Sequence, residues 1–171
     1  MGKLQNLYDL TLAINRLAGR IPSSLGNLTS LNTLCLQVNN LTGSIPPSLG
    51  NCRKLFLLQL FGNSLSGAIP REIFVGSLPQ EVGQLRNLEQ LDVSETRLSG
   101  GVLSSLGSCA SLEKFVAKGK LFNGSNPSSL SSLRGLINVD LSQNNLWPNS
   151  TIFSAIPLIT EFESFLQQPR R

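Results

Sequence analysis

Histidine is absent from all 171 residues, and that one absence excludes a good deal. Without imidazole the chain can assemble neither a Ser-His nor a Cys-His nucleophile, nor a zinc site of the mixed cysteine and histidine kind. Three cysteines, Cys35, Cys52 and Cys109, make no Cys-x-x-Cys pair, and an odd, dispersed set reads as free thiols rather than a disulfide framework. Neither a Gly-x-x-x-x-Gly-Lys phosphate loop nor a kinase catalytic loop occurs, so the expectation is no enzyme, no cofactor, no metal and no catalytic residue. Charge is sparse as well, at 14% of residues; the 14 basic and 10 acidic side chains are interleaved, and the net +4 forms no stripe of the kind nucleic acid requires. No apolar run approaches the roughly 18 residues of a membrane span. Nor does a basic-then-apolar leader open the chain, since MGKLQNLYDL already belongs to the pattern described next.

What is abundant is Leu, Asn, Ser and Gly, evenly spread. Residues 31–46, LNTLCLQVNNLTGSIP, follow the phrase Leu-x-x-Leu-x-Leu-x-x-Asn-x-Leu-x-Gly-x-Ile-Pro. LYDLTLAINRLAGRIP precedes it and LFLLQLFGNSLSGAIP follows it, and LEQLDVSETRLSGGVL, LEKFVAKGKLFNGSNP and LINVDLSQNNLWPN are weaker copies. Each of these six units opens on a short alternating run such as Leu34-Cys35-Leu36, the signature of a half-buried strand. A single such strand cannot bury its leucines, whereas stacking the units in parallel does, which predicts a curved solenoid with the intervening side chains on its concave face. Asn15, Asn39, Asn63 and Asn144 fall at the turn after each strand, where an amide can satisfy backbone groups of its own and neighbouring units. Thr96 and Lys120 take the same rung; a hydroxyl substitutes in part and an ammonium accepts nothing, so these are expected to be weak rungs.

The spacing breaks once. The second residue of the Ile-Pro pair falls at Pro22, Pro46, Pro70, Pro79, Leu103 and Pro127, at intervals of 24, 24, 9, 24 and 24, while the turn positions run 24, 24, 33, 24 and 24. One loss of 15 residues from a repeat of 24 explains both series and leaves a truncated repeat at 75–84. The expected organisation is a solenoid over 1–147 and a non-repeat tail over 148–171. At the break, either the strands at 55–60 and 88–93 pair directly, or a hinge at Phe74–Gly76 splits the stack. Direct pairing leaves no unpaired strand edge and is favoured.

The register assigns Asp9, Thr11, Thr33, Cys35, Gln37, Leu57, Gln59, Phe61, Gln90, Asp92, Ser94, Lys114, Val116, Lys118, Asn138, Asp140 and Ser142 to the outward face. Thr33, Cys35, Gln37, Gln59, Phe61, Gln90, Asp92, Ser94, Lys114, Val116 and Lys118 are the candidate ligand contacts. Phe61 is either an aromatic anchor for a partner or a cover over neighbouring apolar surface. Glu95 and Lys118 either read an ionic ligand or pair with one another across adjacent strands. Four sequons, at Asn27, Asn40, Asn123 and Asn149, mark N-glycosylation sites if the chain is secreted, although triplets of this kind also arise by chance in so Asn- and Ser-rich a sequence. Cys52 and Cys109 occupy a slot that Leu28, Leu85 and Leu133 fill elsewhere, which reads as small buried hydrophobes.

The continuation Gly-x-Ile-Pro-x-x-Leu-Gly, in GSIPPSLGNC and GRIPSSLGNL, resembles the plant-type leucine-rich repeat of receptor-like serine/threonine kinase ectodomains over residues 4–147. GSLPQEVGQLRNLEQLDVS and SSLGSCASLEKF look most like the subgroup that senses microbial patterns in plant immunity. The resemblance implies an α/β-type repeat solenoid with short parallel strands on the concave face and turns and 3-10 segments on the convex side. It implies a peptide or protein ligand, a co-receptor ectodomain as second partner, and a place on the extracellular face of the plasma membrane as a glycoprotein of defence signalling. The kinase, membrane span, leader and caps of such receptors are not in this sequence, so the chain is expected to be a slice of one. Two alternatives stand beside that reading: a soluble inhibitor of a pathogen enzyme, and a truncated remnant without a partner.

Overall fold

The computed structural model describes residues 4–70, 73, 87–99, 109–119, 123–124 and 135–146. Lys120, the truncated repeat at 75–84, the supposed hinge at its start, Asn149 and the tail at 148–171 lie outside the described residues. Six strands of three residues each, β1 (Asp9–Thr11), β3 (Thr33–Cys35), β5 (Leu57–Gln59), β7 (Gln90–Asp92), β9 (Lys114–Val116) and β11 (Asn138–Asp140), form one parallel sheet in that order. Each strand brings one coil of the chain onto the next, which makes the molecule a parallel-strand solenoid of stacked coils.

Register shows how the irregular spacing is absorbed. Leu10 stands opposite Leu34, Leu34 opposite Leu58, Leu91 opposite Phe115 and Phe115 opposite Val139, each pair 24 residues apart, whereas Leu58 stands opposite Leu91, 33 apart. The coils therefore pair directly across the shortened repeat. Leu60 donates its N–H to the Asp92 carbonyl at 2.9 Å and Glu89 donates to the Phe56 carbonyl at 3.0 Å, closing that seam with the same bonds that join the other coils. A slip of one residue here would have turned Leu91 and Val93 outward, so the apolar pattern itself fixes the pairing.

The inward positions form continuous columns. Leu31, Leu55, Leu88 and Leu112 are fully buried, as are Leu34, Leu58, Leu91 and Phe115 beside them. Burying each of these side chains contributes about 1.5–3 kcal/mol, which is why strands only three residues long hold. Leu7, Leu10 and Leu12 of the first coil, and Val139 and Leu141 of the last described one, are only partly buried because each packs against a neighbour on one side.

Opposite the turn runs a second set of strands that the repeat pattern did not announce. β2 (Ala18–Arg20), β4 (Asn40–Gly43), β6 (Ser64–Gly67) and β8 (Arg97–Leu98) form a four-stranded parallel sheet, and β10 (Asn123–Gly124) pairs with β12 (Asn145–Leu146). Their partners are 22 residues apart, as in Ala18 with Asn40 and Thr42 with Ser64, and 31 apart across the shortened repeat, as in Ser66 with Arg97. Each interval is two residues shorter than in the first sheet, a shear of roughly 6–7 Å per coil along the strand. Coils in register on one wall and sheared on the other must rotate relative to one another, so the stack twists.

Two 3-10 turns, η1 (Ser23–Asn27) and η2 (Pro47–Asn51), follow the Ile-Pro pairs and carry Leu25 and Leu49 into the core. They pack so closely that a methyl on Gly26 would fall on the backbone carbonyl of Ser48. The turn between the two sheets has its own chemistry. Ile14, Val38, Gly62, Glu95 and Gln143 all have φ between 52° and 63°, and the next residue is the rung position. Asn39 Nδ2 donates to the carbonyls of Leu36 in its own coil and Leu12 in the preceding one, and its Oδ1 accepts the N–H of Leu17. Asn63 repeats this with Leu60, Leu36 and Leu41. Asn144 donates to Leu141 and Ala117, whereas Asn15, in the first coil, bonds the carbonyls of Leu12 and Ala13. At Thr96 the hydroxyl donates to Val93 at 2.7 Å and accepts Leu98 N–H at 3.5 Å; neither bond reaches the preceding coil. No helix among the described residues is long and apolar enough to cross a membrane.

Candidate functional site

The outward side chains of the six-stranded sheet fall into three rows across the coils. The first runs Asp9, Thr33, Leu57, Gln90, Lys114 and Asn138, and the second Thr11, Cys35, Gln59, Asp92, Val116 and Asp140. The third continues just past the strands as Ala13, Gln37, Phe61, Ser94, Lys118 and Ser142, held in line by Ile14 N–H to the Gln37 carbonyl and Val38 N–H to the Phe61 carbonyl, both 2.9 Å. Because Leu57 and Gln90 are adjacent, the rows cross the shortened repeat without a gap. The structure thus brings all eleven sequence-derived candidate contacts, from Thr33 to Lys118, onto one face.

They are not equally available. Cys35 is 7% exposed and Ser94 8%, so these two lie beneath their neighbours rather than in front of a ligand. Cys35 Sγ donates to Gln59 Oε1 at 3.5 Å. Burial pushes its thiol above the ordinary range, an effect reinforced by the Asp9 charge and opposed by a hydrogen bond with Thr11. A protonated, covered thiol is neither nucleophile nor metal ligand. Ser94 is tied down by Asp92, whose Oδ1 accepts both the Ser94 N–H at 3.0 Å and its hydroxyl at 2.7 Å. Asp140 accepts the Ser142 N–H at 2.9 Å in the same manner. These carboxylates hold turns, a role that the Asp-x-Ser spacing of LDVSE and VDLSQ encodes and that an outward-face reading alone overlooks.

The remaining candidates present a face in two parts. Around β3 and β5, Thr33, Gln37, Leu57, Gln59 and Phe61 are half-buried and uncharged. Around β7, β9 and β11, Lys114 is exposed between Gln90 and Asn138, and Lys118 lies between Ser94 and Ser142. Glu95 meets Lys118 through the backbone, its N–H donating to the Lys118 carbonyl at 2.9 Å. Of the sequons, Asn27 in η1 and Asn40 in β4 have exposed side chains. Cys52 and Cys109 are buried, each Sγ directed at a backbone carbonyl, Leu25 at 3.4 Å and Leu88 at 3.7 Å. Both act as packing.

The Leucine Rich Repeat family model matches residues 30–52 and 87–109, the coils that carry β3 and β7. The solenoid is similar to the ectodomain of the receptor kinase SOBIR1 from Arabidopsis thaliana, at 31% identity and a TM-score of 0.69, over 80% of this chain and 71% of that one. It is also similar to the ectodomain of the Arabidopsis receptor kinase GASSHO1/SCHENGEN3 in complex with CASPARIAN STRIP INTEGRITY FACTOR 2, at 36% identity and a TM-score of 0.72. A third similar structure is the Arabidopsis receptor kinase HAESA in complex with the peptide hormone IDA and the co-receptor SERK1, at 33% identity and a TM-score of 0.74. Each of these last two matches covers 85% of this chain but only 16% and 23% of the relative, so the chain spans about a sixth to a quarter of their length. No curated protein sequence matches it.

Proposed function

Since the chain belongs to the leucine-rich-repeat family of plant receptor-kinase ectodomains, we propose that it is a recognition module without catalysis of its own, whose outward sheet face takes a peptide or protein ligand. The observation that carries this is the continuity of that face: six strands in unbroken register, with Leu57 and Gln59 opposite Gln90 and Asp92 across the shortened repeat, Lys114 beside Gln90, and Phe61 and Lys118 on either side of Ser94. A half-buried aromatic among polar side chains on a rigid sheet is what a peptide needs for one anchor and several directed hydrogen bonds. The solved HAESA relative holds a peptide hormone together with a co-receptor, which supports a peptide as the ligand class and a second ectodomain as a further partner. Ectodomains of membrane receptor kinases are extracellular, which supports a place for this chain on the outer face of the plasma membrane; exposed Asn27 and Asn40 suit glycosylation there, and Asn123 and Asn149 complete the expected set. Within the family, the phrases GSLPQEVGQLRNLEQLDVS and SSLGSCASLEKF favour the receptors of microbial patterns and a defence role.

The test is selection of the purified chain against a random peptide library, followed by titration of enriched peptides by calorimetry. Enrichment of a consensus whose affinity falls with Phe61→Ala and with Lys114→Ala, but not with substitution of exposed Ser24 in η1 beyond the sheet, is the expected result. Selection that enriches nothing, or peptides indifferent to every outward substitution, removes the recognition reading and leaves the remnant.

A further inference from the structure

Three independent features converge at the carboxyl ends of β1, β3 and β5. Ile14 and Val38 stand 78% and 44% exposed, two β-branched residues on the same turn position of adjacent coils. Both have left-handed backbone, φ 54° and 55°, a region that β-branched residues avoid and that glycine fills in the next coil, at Gly62. Beside them Gln37 Oε1 is completely buried and has no hydrogen-bond partner. Gln37 sits between Ala13 and Phe61 in the third outward row, and the Val38 side chain packs over Gly62, so the strained residues, the aromatic ring and the unpaired acceptor are contiguous. The corresponding places further along are satisfied internally: Ser94 binds Asp92, and Ser142 donates to Asp140. A buried amide oxygen without a donor is destabilising, and so is left-handed backbone at a β-branched residue. Both costs fall on one uncharged spot of an otherwise self-satisfied face.

We infer that the rim of Ile14, Val38 and Phe61 is the ligand's anchoring subsite, where the half-buried Gln37 side chain turns its amide outward so that Oε1 accepts a backbone N–H from a peptide whose neutral, apolar side chain lies against the rim. The inference rests on the peptide-recognition reading and narrows it to a place and a chemistry. Ala13, Ile14, Val38 and Phe61 bring no charge, so the anchor is an aliphatic or aromatic residue rather than an acid or a base. An acceptor that waits beneath the surface selects for a donor, which every non-proline peptide unit supplies. The charged part of the face, at Lys114 and Lys118, then reads whatever follows the anchor.

The probe is N-acetyl-leucine methylamide, which carries one apolar side chain and two amide N–H groups, titrated into the isotope-labelled full chain and followed by NMR. The expected result is saturable shifts at residues 13–14, 37–38 and 61–62, including the Gln37 side-chain amide, and several-fold weaker binding in Gln37→Met, which keeps length but removes the acceptor. Thermal midpoints separate this from a structural role: Gln37→Met melts no lower than the parent, and Val38→Gly melts higher, while both bind the probe less well. Shifts that fall elsewhere, unchanged binding by Gln37→Met, or affinity and midpoint falling together would each overturn the assignment. A library peptide held through Lys114 and Lys118 and indifferent to Gln37→Met also overturns it, yet leaves the recognition function standing. An empty library selection combined with rim shifts from the probe does the reverse.

Discussion

Replacing Asn63 by Ala probes what fastens one coil to the next. Asn63 is 6% exposed, and its side chain donates to the carbonyls of Leu36 and Leu60 at 3.0 Å and accepts the N–H of Leu41 at 3.0 Å. Alanine leaves the Leu41 N–H of the preceding coil and the Leu60 carbonyl of its own coil without these partners, whereas the Leu36 carbonyl keeps the Asn39 amide. Stranding a buried backbone group costs about 1–3 kcal/mol, and two such groups with the small loss of packing amount to about 3–5 kcal/mol. The converse exchange is available at Thr96, whose hydroxyl closes on its own coil through Val93 and Leu98. Asparagine there has the reach to bond the preceding coil, at Leu60 and Leu65, and is expected to stabilise by about 1–2 kcal/mol. Urea unfolding, with the midpoint and slope fitted separately, measures both. A cost below about 1 kcal/mol for Asn63→Ala, together with no gain from Thr96→Asn, would refute the claim that these amides satisfy groups water cannot reach.

Three further outcomes follow from particular contacts. Gly26→Ala places a methyl against the Ser48 carbonyl and forces η1 from η2, so a loss of about 3 kcal/mol or more in the urea midpoint is expected, whereas no change contradicts the close approach. Val38→Gly removes left-handed strain from a β-branched residue; a gain of about 0.5–1 kcal/mol remains after the extra chain entropy of glycine, and a loss contradicts it. Burial pushes the Cys52 thiol from 9.0 up to about 11. The unfolded chain therefore releases its proton first: stability is intact below pH 9 and falls as pH rises to about 11, by up to about 2–3 kcal/mol. Cys52→Leu, the residue that Leu28 supplies in the coil before, flattens that alkaline loss; an unchanged slope places its cause elsewhere.

Much of the fold is legible in the sequence because the inward leucines obey two constraints at once, alternation along a strand and recurrence along the chain. These made the parallel sheet and its inward columns readable, and favoured direct pairing across the shortened repeat over a hinge. The second sheet was not, since AGR, NLTG and SLSG are short and glycine-bearing, with Thr42 as their one β-branched residue, and become strands only because the first sheet holds the coils within bonding distance. The left-handed turn was hidden for a related reason: Gly62 signals it, but Ile14 and Val38 at the same position signal the opposite. Among the candidate contacts, the register placed the rows, whereas the withdrawal of Cys35 under Gln59 and of Ser94 onto Asp92 depended on side-chain partners in other coils. Gln37 gave no sequence signal for an unpaired buried acceptor, because burial of one atom within a half-exposed residue is a property of packing.

The outward face proposed for recognition exists as one surface only if the coils remain joined across the shortened repeat. Amide hydrogen exchange tests this at a single pair of positions: Leu36, whose N–H donates to Gln59 at 2.9 Å between regular coils, and Leu60, whose N–H donates to Asp92 at 2.9 Å across the seam. Protection at Leu60 within about tenfold of that at Leu36 is the expected result, since both bonds then open only with the stack. Rapid exchange at Leu60 beside a protected Leu36 would contradict it and divide the face in two.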